Sequence, residues 1–378
     1  MRIVIAIDSF KGSITSLEAG AAAAEGIKRC LPDADIQVMP IADGGEGTVD
    51  ALISHLNGVY KTVTVKDPLC RDIVATYGIA GKLAIMEMSA ASGIALLKKE
   101  ELNPMIATTY GVGQMIKDAI CDGCREFLIG IGGSATNDGG VGMLQALGFA
   151  FLDKNGNSVG FGASGLEMIH RICDKNVIPE LKECKFSIAC DVKNPLCGEL
   201  GCSAIFSPQK GATPEQIPQM DKAMAHYAQV TRQLNPQADD VFPGAGAAGG
   251  LGFAFLAYLG GKLQSGIELI LNKIQIEQAI SQANLVITGE GRLDGQTIMG
   301  KVPVGIARLA KKYDKPVIGF SGCVTREAVA CNEHGIDAFF PIVRTPCTLD
   351  DAMNPENAKN NMADCAEQAL CLWKAASK

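Results

Sequence analysis

Apolar runs of strand length alternate with helical patterns along almost the whole chain, and this alternation narrows the fold more than any other feature. Arg2–Ile7 reads as a first strand, followed after residues 8–13 by a helix over Ser16–Cys30, with Thr15 and Glu18 at capping-box spacing. A second strand is expected at 37–40 and a helix at 49–56. Between 62 and 88 the pattern changes to alternating segments, 75–80 and 83–88, joined at Gly81-Lys82 as in an antiparallel hairpin. A helix at 107–121, a strand at 127–131, a hairpin around Asn155-Gly156, a strand at 186–191 and helices at 214–234 and Ala247–Leu259 follow. Strand and helix units then return, with strands at 285–288, 317–321 and 338–342 and helices at 303–312, 326–334 and 358–375. The pattern predicts an α/β fold of two domains. Residues 1–65 and 282–378 are expected to form a Rossmann-like, doubly wound parallel-sheet domain, and residues 66–281 a mixed α/β domain inserted in it.

Composition excludes several classes. With 378 residues, 47% of them hydrophobic and 20% charged, the chain can bury more than one core and is not a disordered sequence. A net charge of −7 with no basic run argues against a nucleic-acid surface. The first ten residues meet Asp8 too early for a signal peptide or membrane span, so a cytoplasmic protein is expected. The fourteen cysteines show no repeated spacing and read as reduced thiols. Cys121 and Cys124 lack the second pair or nearby histidine that a zinc site needs, and the four histidines are dispersed.

Six polar or glycine-rich loops carry the candidate chemistry: 8–13, 43–48, 132–140, 191–195, 243–252 and 289–294. The segment 127–142, FLIGIGGSATNDGGVG, reads as buried strand, tight polar loop and helix start, the arrangement of an anion cradle. In open α/β sheets ligands bind beyond the carboxyl ends of strands, where such loops gather. Asp43, Glu46, Asp138 and Glu290 offer oxygen ligands of the kind Mg²⁺ takes, and Lys11, Lys210 and Arg292 offer positive charge. That inventory suits phosphoryl transfer from a metal-bound nucleotide. Single residues also admit plainer roles: an aspartate such as Asp8 can cap a helix, and Arg292 can pair with Asp294. Gly244, Gly246 and Gly249 match GxGxxG but lack a preceding strand, and the near P-loop at 295–301 has Val302 where Ser or Thr would meet Mg²⁺.

Taken in order, DSFKGS at 8–13, ADGGEGT at 42–48, GGSATNDGG at 132–140, ACDVKNPLCG at 189–198, FSPQKGA at 206–212, PGAGAAGGLG at 243–252, ITGEGRLDGQ at 287–296 and GK at 300–301 resemble the bacterial glycerate kinase family. Ile7 departs from the proline expected before DSF. The resemblance implies ATP- and Mg²⁺-dependent phosphorylation of D-glycerate, most simply to 2-phosphoglycerate, in a two-domain enzyme with its cleft between domains. Another small hydroxy or sugar acid as substrate, or 3-phosphoglycerate as product, stays open, as does a homo-oligomer. Asp191, at the end of an apolar strand, is the expected acceptor of the hydroxyl proton. Lys11 and Arg292 are expected to join it in catalysis, and Ser9, Ser13, Arg292 and Asp294 to hold the acid substrate. Gly132, Gly133, Ser134, Thr136, Asn137, Lys210, Gly244, Gly246 and Gly249 are assigned to the nucleotide phosphates, and Asp43, Glu46, Asp138 and Glu290 to the metal. A non-catalytic nucleotide-binding module and a dehydrogenase are the competing classes.

Overall fold

The structure, a computed structural model, describes residues 1–376. Two compact units divide the chain, one formed by 1–43, 50–57 and 267–378 and the other by 44–49 and 58–266.

In the first unit the strands β1 (Arg2–Ile7) and β2 (Asp35–Val38) join three strands from the far end of the chain. The thirteen strands among the described residues are numbered in chain order, so these three are β11 (Leu285–Leu293), β12 (Val317–Val324) and β13 (Ala338–Pro341). The sheet is wholly parallel in the order β13-β12-β11-β1-β2. The direction in which successive strands are added reverses at the β1/β11 pair, since β1 leads to β2 on one side and β11 to β12 on the other. That pair is therefore the topological switch point. Ile3, Ile5, Leu285, Ile287 and Phe320 form the sheet side of the core, covered by Ala19, Ala23 and Ile27 of helix Ser16–Cys30 and Met362, Ala366 and Leu370 of helix Pro355–Ala376. The first of these helices starts with the expected capping box, Thr15 accepting from the Glu18 N–H while Glu18 accepts from the Thr15 N–H.

The second unit holds a six-stranded mixed sheet in the order β10-β9-β6-β5-β4-β3. Its strands are β3 (Val59–Lys66), β4 (Asp72–Ala80), β5 (Leu83–Glu87), β6 (Glu126–Gly130), β9 (Lys185–Ala189) and β10 (Lys262–Gln264). β3, β4 and β5 are antiparallel, with the β4–β5 turn at Gly81-Lys82, while β5, β6, β9 and β10 run parallel. Those four strands end at one edge, which gathers the loops after β5, β6, β9 and β10. Phe127 and Phe186 stack beneath it with ring centroids 4.8 Å apart. The remaining pair, β7 (Ala150–Leu152) and β8 (Arg171–Cys173), forms a small ribbon.

Two local expectations are corrected, and a third, the hairpin, is met. β11 continues to Leu293, so Glu290 and Arg292 lie in a strand rather than a loop; the pairings Arg292↔Cys323 and Leu293↔Val324 carry it through the glycines. The hairpin at Asn155-Gly156 forms around the Asp153 carboxylate, with the Asp153 N–H donating to the Asn157 carbonyl at 2.8 Å and the Val159 N–H to the Phe151 carbonyl at 2.9 Å, while the other edge of β7 pairs with β8. Helix Ala247–Leu259 opens with Ala248, Gly249 and Gly250 in left-handed conformation, φ 51°, 66° and 90°. A Cβ on Gly249 would stand 2.1 Å from the Thr136 carbonyl oxygen, so close backbone approach dictates glycine there. Every cysteine is a free thiol, and among the described residues no helix is long and apolar enough to cross a membrane.

Candidate active site

The loop after β6 is more enclosed than a simple anion cradle. Gly132 and Gly133 are exposed, whereas everything from Ser134 to Gly140 is buried. At the start of the short helix Val141–Ala146, the anion is the chain's own Asp138. Its Oδ2 accepts from the Thr109 N–H at 2.8 Å, the Thr109 hydroxyl at 2.9 Å and the Gly142 N–H at 3.3 Å, and its Oδ1 from the Gly140 N–H at 3.0 Å. Burial raises the Asp138 pKa, and these donors work in the opposite direction. Both carboxylate oxygens are thus engaged by donors that a helix start would otherwise offer to a ligand.

A buried cation braces the same loop from the other side. Lys210, only 2% exposed, donates through Nζ to Ser134 Oγ and to the Thr136 carbonyl oxygen, each at 2.7 Å. Burial lowers its pKa to about 8. Asn137 Nδ2 donates to Ser203 Oγ at 3.0 Å, and the Gly139 N–H to the Gly249 carbonyl at 2.9 Å. Thr136 Oγ1, Asn137 Oδ1 and Ser207 Oγ remain buried without a hydrogen-bond partner among the described residues. Gly246 packs against neighbouring backbone, since a Cβ there would meet the Pro195 carbonyl oxygen at 2.2 Å, while a Cβ on Gly244 would meet the Leu263 and Cys190 side chains at 2.9 and 3.1 Å. The residues before Gly244 form no strand, so GxGxxG here is a packing motif rather than a dinucleotide fingerprint.

Two acidic residues of this unit are open to solvent at the same sheet edge. Asp191 follows β9 and is exposed, with Oδ1 accepting from the Gly266 N–H at 3.1 Å. Glu46 is exposed on the segment 44–49, which crosses the strand ends closely enough that a Cβ on Gly130 would stand 2.0 Å from the Gly44 carbonyl oxygen.

The first unit collects its charges at the switch point. Asp8, at the end of β1, is 3% exposed and accepts from the Ser9 N–H at 2.7 Å. Burial, then the negative charge of Asp43, pushes its pKa up to about 8, with Glu290 adding to the rise and Lys11 opposing it. Glu290, raised mainly by burial, accepts from the Thr297 hydroxyl at 2.6 Å and lies 3.7 Å from Lys301 Nζ. Lys11 Nζ lies 3.8 Å from Asp43. Arg292 is mostly exposed and pairs with Asp294 at 3.2 Å, the plainer role its sequence position allowed. Ser9 Oγ and Ser13 Oγ are buried without a hydrogen-bond partner among the described residues.

The predicted residues therefore fall into two groups. Ser9, Lys11, Ser13, Asp43, Glu290, Arg292 and Asp294 belong to the first unit, and Glu46, Asp191, Lys210 and the glycine loops to the second. Asp8, Thr109 and Lys301 were not among the predicted site residues. Asp8 had a visible signal, an acid directly after five buried apolar residues, and Lys301 stood in the GK pair. Thr109 lies 29 positions from the aspartate it contacts and had none.

Carboxylates at parallel strand ends, glycine loops and lysines define an α/β enzyme equipped for phosphoryl transfer. The family model described as "Glycerate kinase family" matches residues 3–374, and the chain belongs to that family. It is 47% identical over 355 residues to the glycerate 2-kinase of Escherichia coli (strain K12), covering 93% of each chain. With the glycerate kinase of Haemophilus influenzae it shares 46% identity over 360 residues, 93% of this chain and 94% of that one. A crystal structure of a candidate glycerate kinase 2 from Salmonella typhimurium LT2 superposes with TM-score 0.91 at 43% identity, covering 100% of this chain and 99% of that one. The chain is a glycerate kinase, an enzyme that uses ATP to phosphorylate glycerate.

Proposed function

We propose that this enzyme transfers the γ-phosphoryl group of ATP to the 2-hydroxyl of D-glycerate, giving 2-phospho-D-glycerate, with Mg²⁺ accompanying the nucleotide. The observation that carries the choice of hydroxyl is the 47% identity to a protein named for 2-kinase activity. Among the described residues no group of three or more His, Cys, Asp or Glu side chains is arranged to hold a metal ion alone. That suits Mg²⁺, which keeps waters and takes one or two carboxylates together with substrate phosphates. Asp43 and Glu290 would hold it in the first unit, where mutual repulsion with buried Asp8 favours a cation. When bound, the ion neutralises charge on the phosphate oxygens. Asp138, saturated by chain donors, is a clamp of the loop in this reading rather than a metal ligand, and Glu46 is free of any such enclosure.

The unpartnered hydroxyls of Ser9 and Ser13 support a substrate role, because a buried hydroxyl left unbonded costs about 1–3 kcal/mol that a ligand can recover. Arg292, held beside Asp294, grips the glycerate carboxylate, and Lys11 meets the transferred group. In the second unit the exposed Gly132 and Gly133 present backbone to the phosphate chain, while Ser134, Thr136, Asn137 and Lys210 brace them from behind, together with Gly244, Gly246 and Gly249. Asp191, aimed by the Gly266 N–H, takes the hydroxyl proton. Phosphorus NMR of the product decides the hydroxyl: coupling to the single C2 proton gives a doublet, the expected result, whereas coupling to the C3 methylene gives a triplet and overturns the assignment.

A further inference from the structure

The first and last helices of the first unit lie side by side in parallel register. Lys359 Nζ is 2.7 Å from Glu18 Oε1 near one end and Cys371 Sγ is 3.0 Å from Cys30 Sγ at the other, and both pairs are 341 residues apart. Between them, a Cβ on Gly26 would stand 1.8 Å from the Ala363 carbonyl oxygen, so the two backbones approach as closely as glycine allows. The meeting of the two sulfurs is thus set by helix packing and register rather than by a chance rotamer. Both thiols are partly exposed, and Lys374 Nζ donates to the Cys30 carbonyl oxygen at 3.1 Å. The hydrogen bond with Cys371 raises the Cys30 pKa, as expected for two neutral thiols in contact.

We propose that Cys30 and Cys371 are an oxidation site that closes into an intramolecular disulfide, with a small disulfide of the glutathione type as co-reactant. One thiol loses its proton and attacks the oxidised glutathione, forming a mixed disulfide and releasing one glutathione thiolate. The second thiol loses its proton, attacks the protein sulfur of that mixed disulfide and releases the second glutathione thiolate. Two protein S–H bonds are lost and one S–S bond forms, while glutathione disulfide takes up the two electrons. The sulfurs need approach by only about 1 Å to reach the usual bond length of about 2.05 Å, a shift that side-chain rotation supplies. The bond joins the first helix to the last and restricts the unfolded chain over nearly its whole length.

The test treats the reduced full-length protein with oxidised glutathione. The expected result is an intact mass lower by two hydrogens, a cross-linked peptide containing Cys30 and Cys371, and a melting temperature several degrees higher that returns to its starting value with dithiothreitol. Cys30→Ser and Cys371→Ser should each abolish that rise while leaving the reduced melting temperature and activity in place, and Cys365→Ser, on the same helix, should keep it. Stable glutathione adducts at Cys30 or Cys371 without the cross-link would overturn the proposal. So would cross-links only elsewhere, or an equal rise in Cys30→Ser.

Discussion

Asp138→Ala should be among the most damaging single substitutions in the second unit, and for a structural reason. The change strips the acceptor from three buried backbone donors, the N–H groups of Thr109, Gly140 and Gly142, and from the Thr109 hydroxyl. Each orphaned buried donor costs about 1–3 kcal/mol, so the loss comes to roughly 3–6 kcal/mol once water is allowed into part of the vacated space. For a domain of this size about 2–4 °C accompanies each kcal/mol, which places the melting temperature roughly 10–20 °C below the native protein. Asp138→Asn is the internal control. Its amide oxygen can occupy the Oδ2 position, where Thr109 and Gly142 converge, leaving the Gly140 N–H to face the amide NH2 without an acceptor, a smaller loss than that of alanine at roughly 1–3 kcal/mol. Circular dichroism melts of the three proteins without nucleotide or metal make the comparison. An Asp138→Ala protein that melts with the native one, but needs far more Mg²⁺ for turnover, would refute the clamp and return Asp138 to the metal.

Other outcomes follow from the same geometry. Lys210 is held near a pKa of about 8 against an ordinary 10.5, so the unfolded chain binds more protons between those values and this residue's contribution makes stability rise with pH across that window; urea melts at both ends should show that slope shrinking in Lys210→Met, and parallel curves would contradict it. Ser13→Ala removes a buried hydroxyl with no hydrogen-bond partner among the described residues, so the melting temperature should not fall, while the glycerate KM rises several-fold. An unchanged KM would take Ser13 out of the substrate site. Asp191→Asn should lower kcat by about 10²-fold or more with ATP binding intact, the scale of a lost general base. Retention of most of the kcat would remove Asp191 from that role.

The α/β class, the parallel sheet built from both termini and the mixed sheet between were legible because strand-length apolar runs and helical periodicity are local signals. The capping box at Thr15 and Glu18 and the turn at Gly81-Lys82 were local for the same reason. Pairing was less legible. β11 runs on through Gly289 and Gly291 because β12 continues beside it, and β7 takes the distant β8 on the edge that its own hairpin leaves open. In the candidate site the polar loops were visible as composition, but their burial was not. Ser134, Thr136, Asn137 and Asp138 look like ligand groups in sequence and sit in the structure as a braced interior, because Thr109 and Lys210 arrive from 29 and 76 residues away. Asp8 illustrates the reverse, a residue that passes for a helix cap until Asp43 and Glu290 gather round it.

Turnover itself tests the glycerate kinase activity most directly. ADP release should be measured with ATP and Mg²⁺ against D-glycerate, L-glycerate, glycolate, lactate and tartronate. Rapid release with D-glycerate, strongly preferred over the others and abolished by removing Mg²⁺, is the predicted result. No release with D-glycerate above the ATP-only background, or a clear preference for another hydroxy acid, would contradict it.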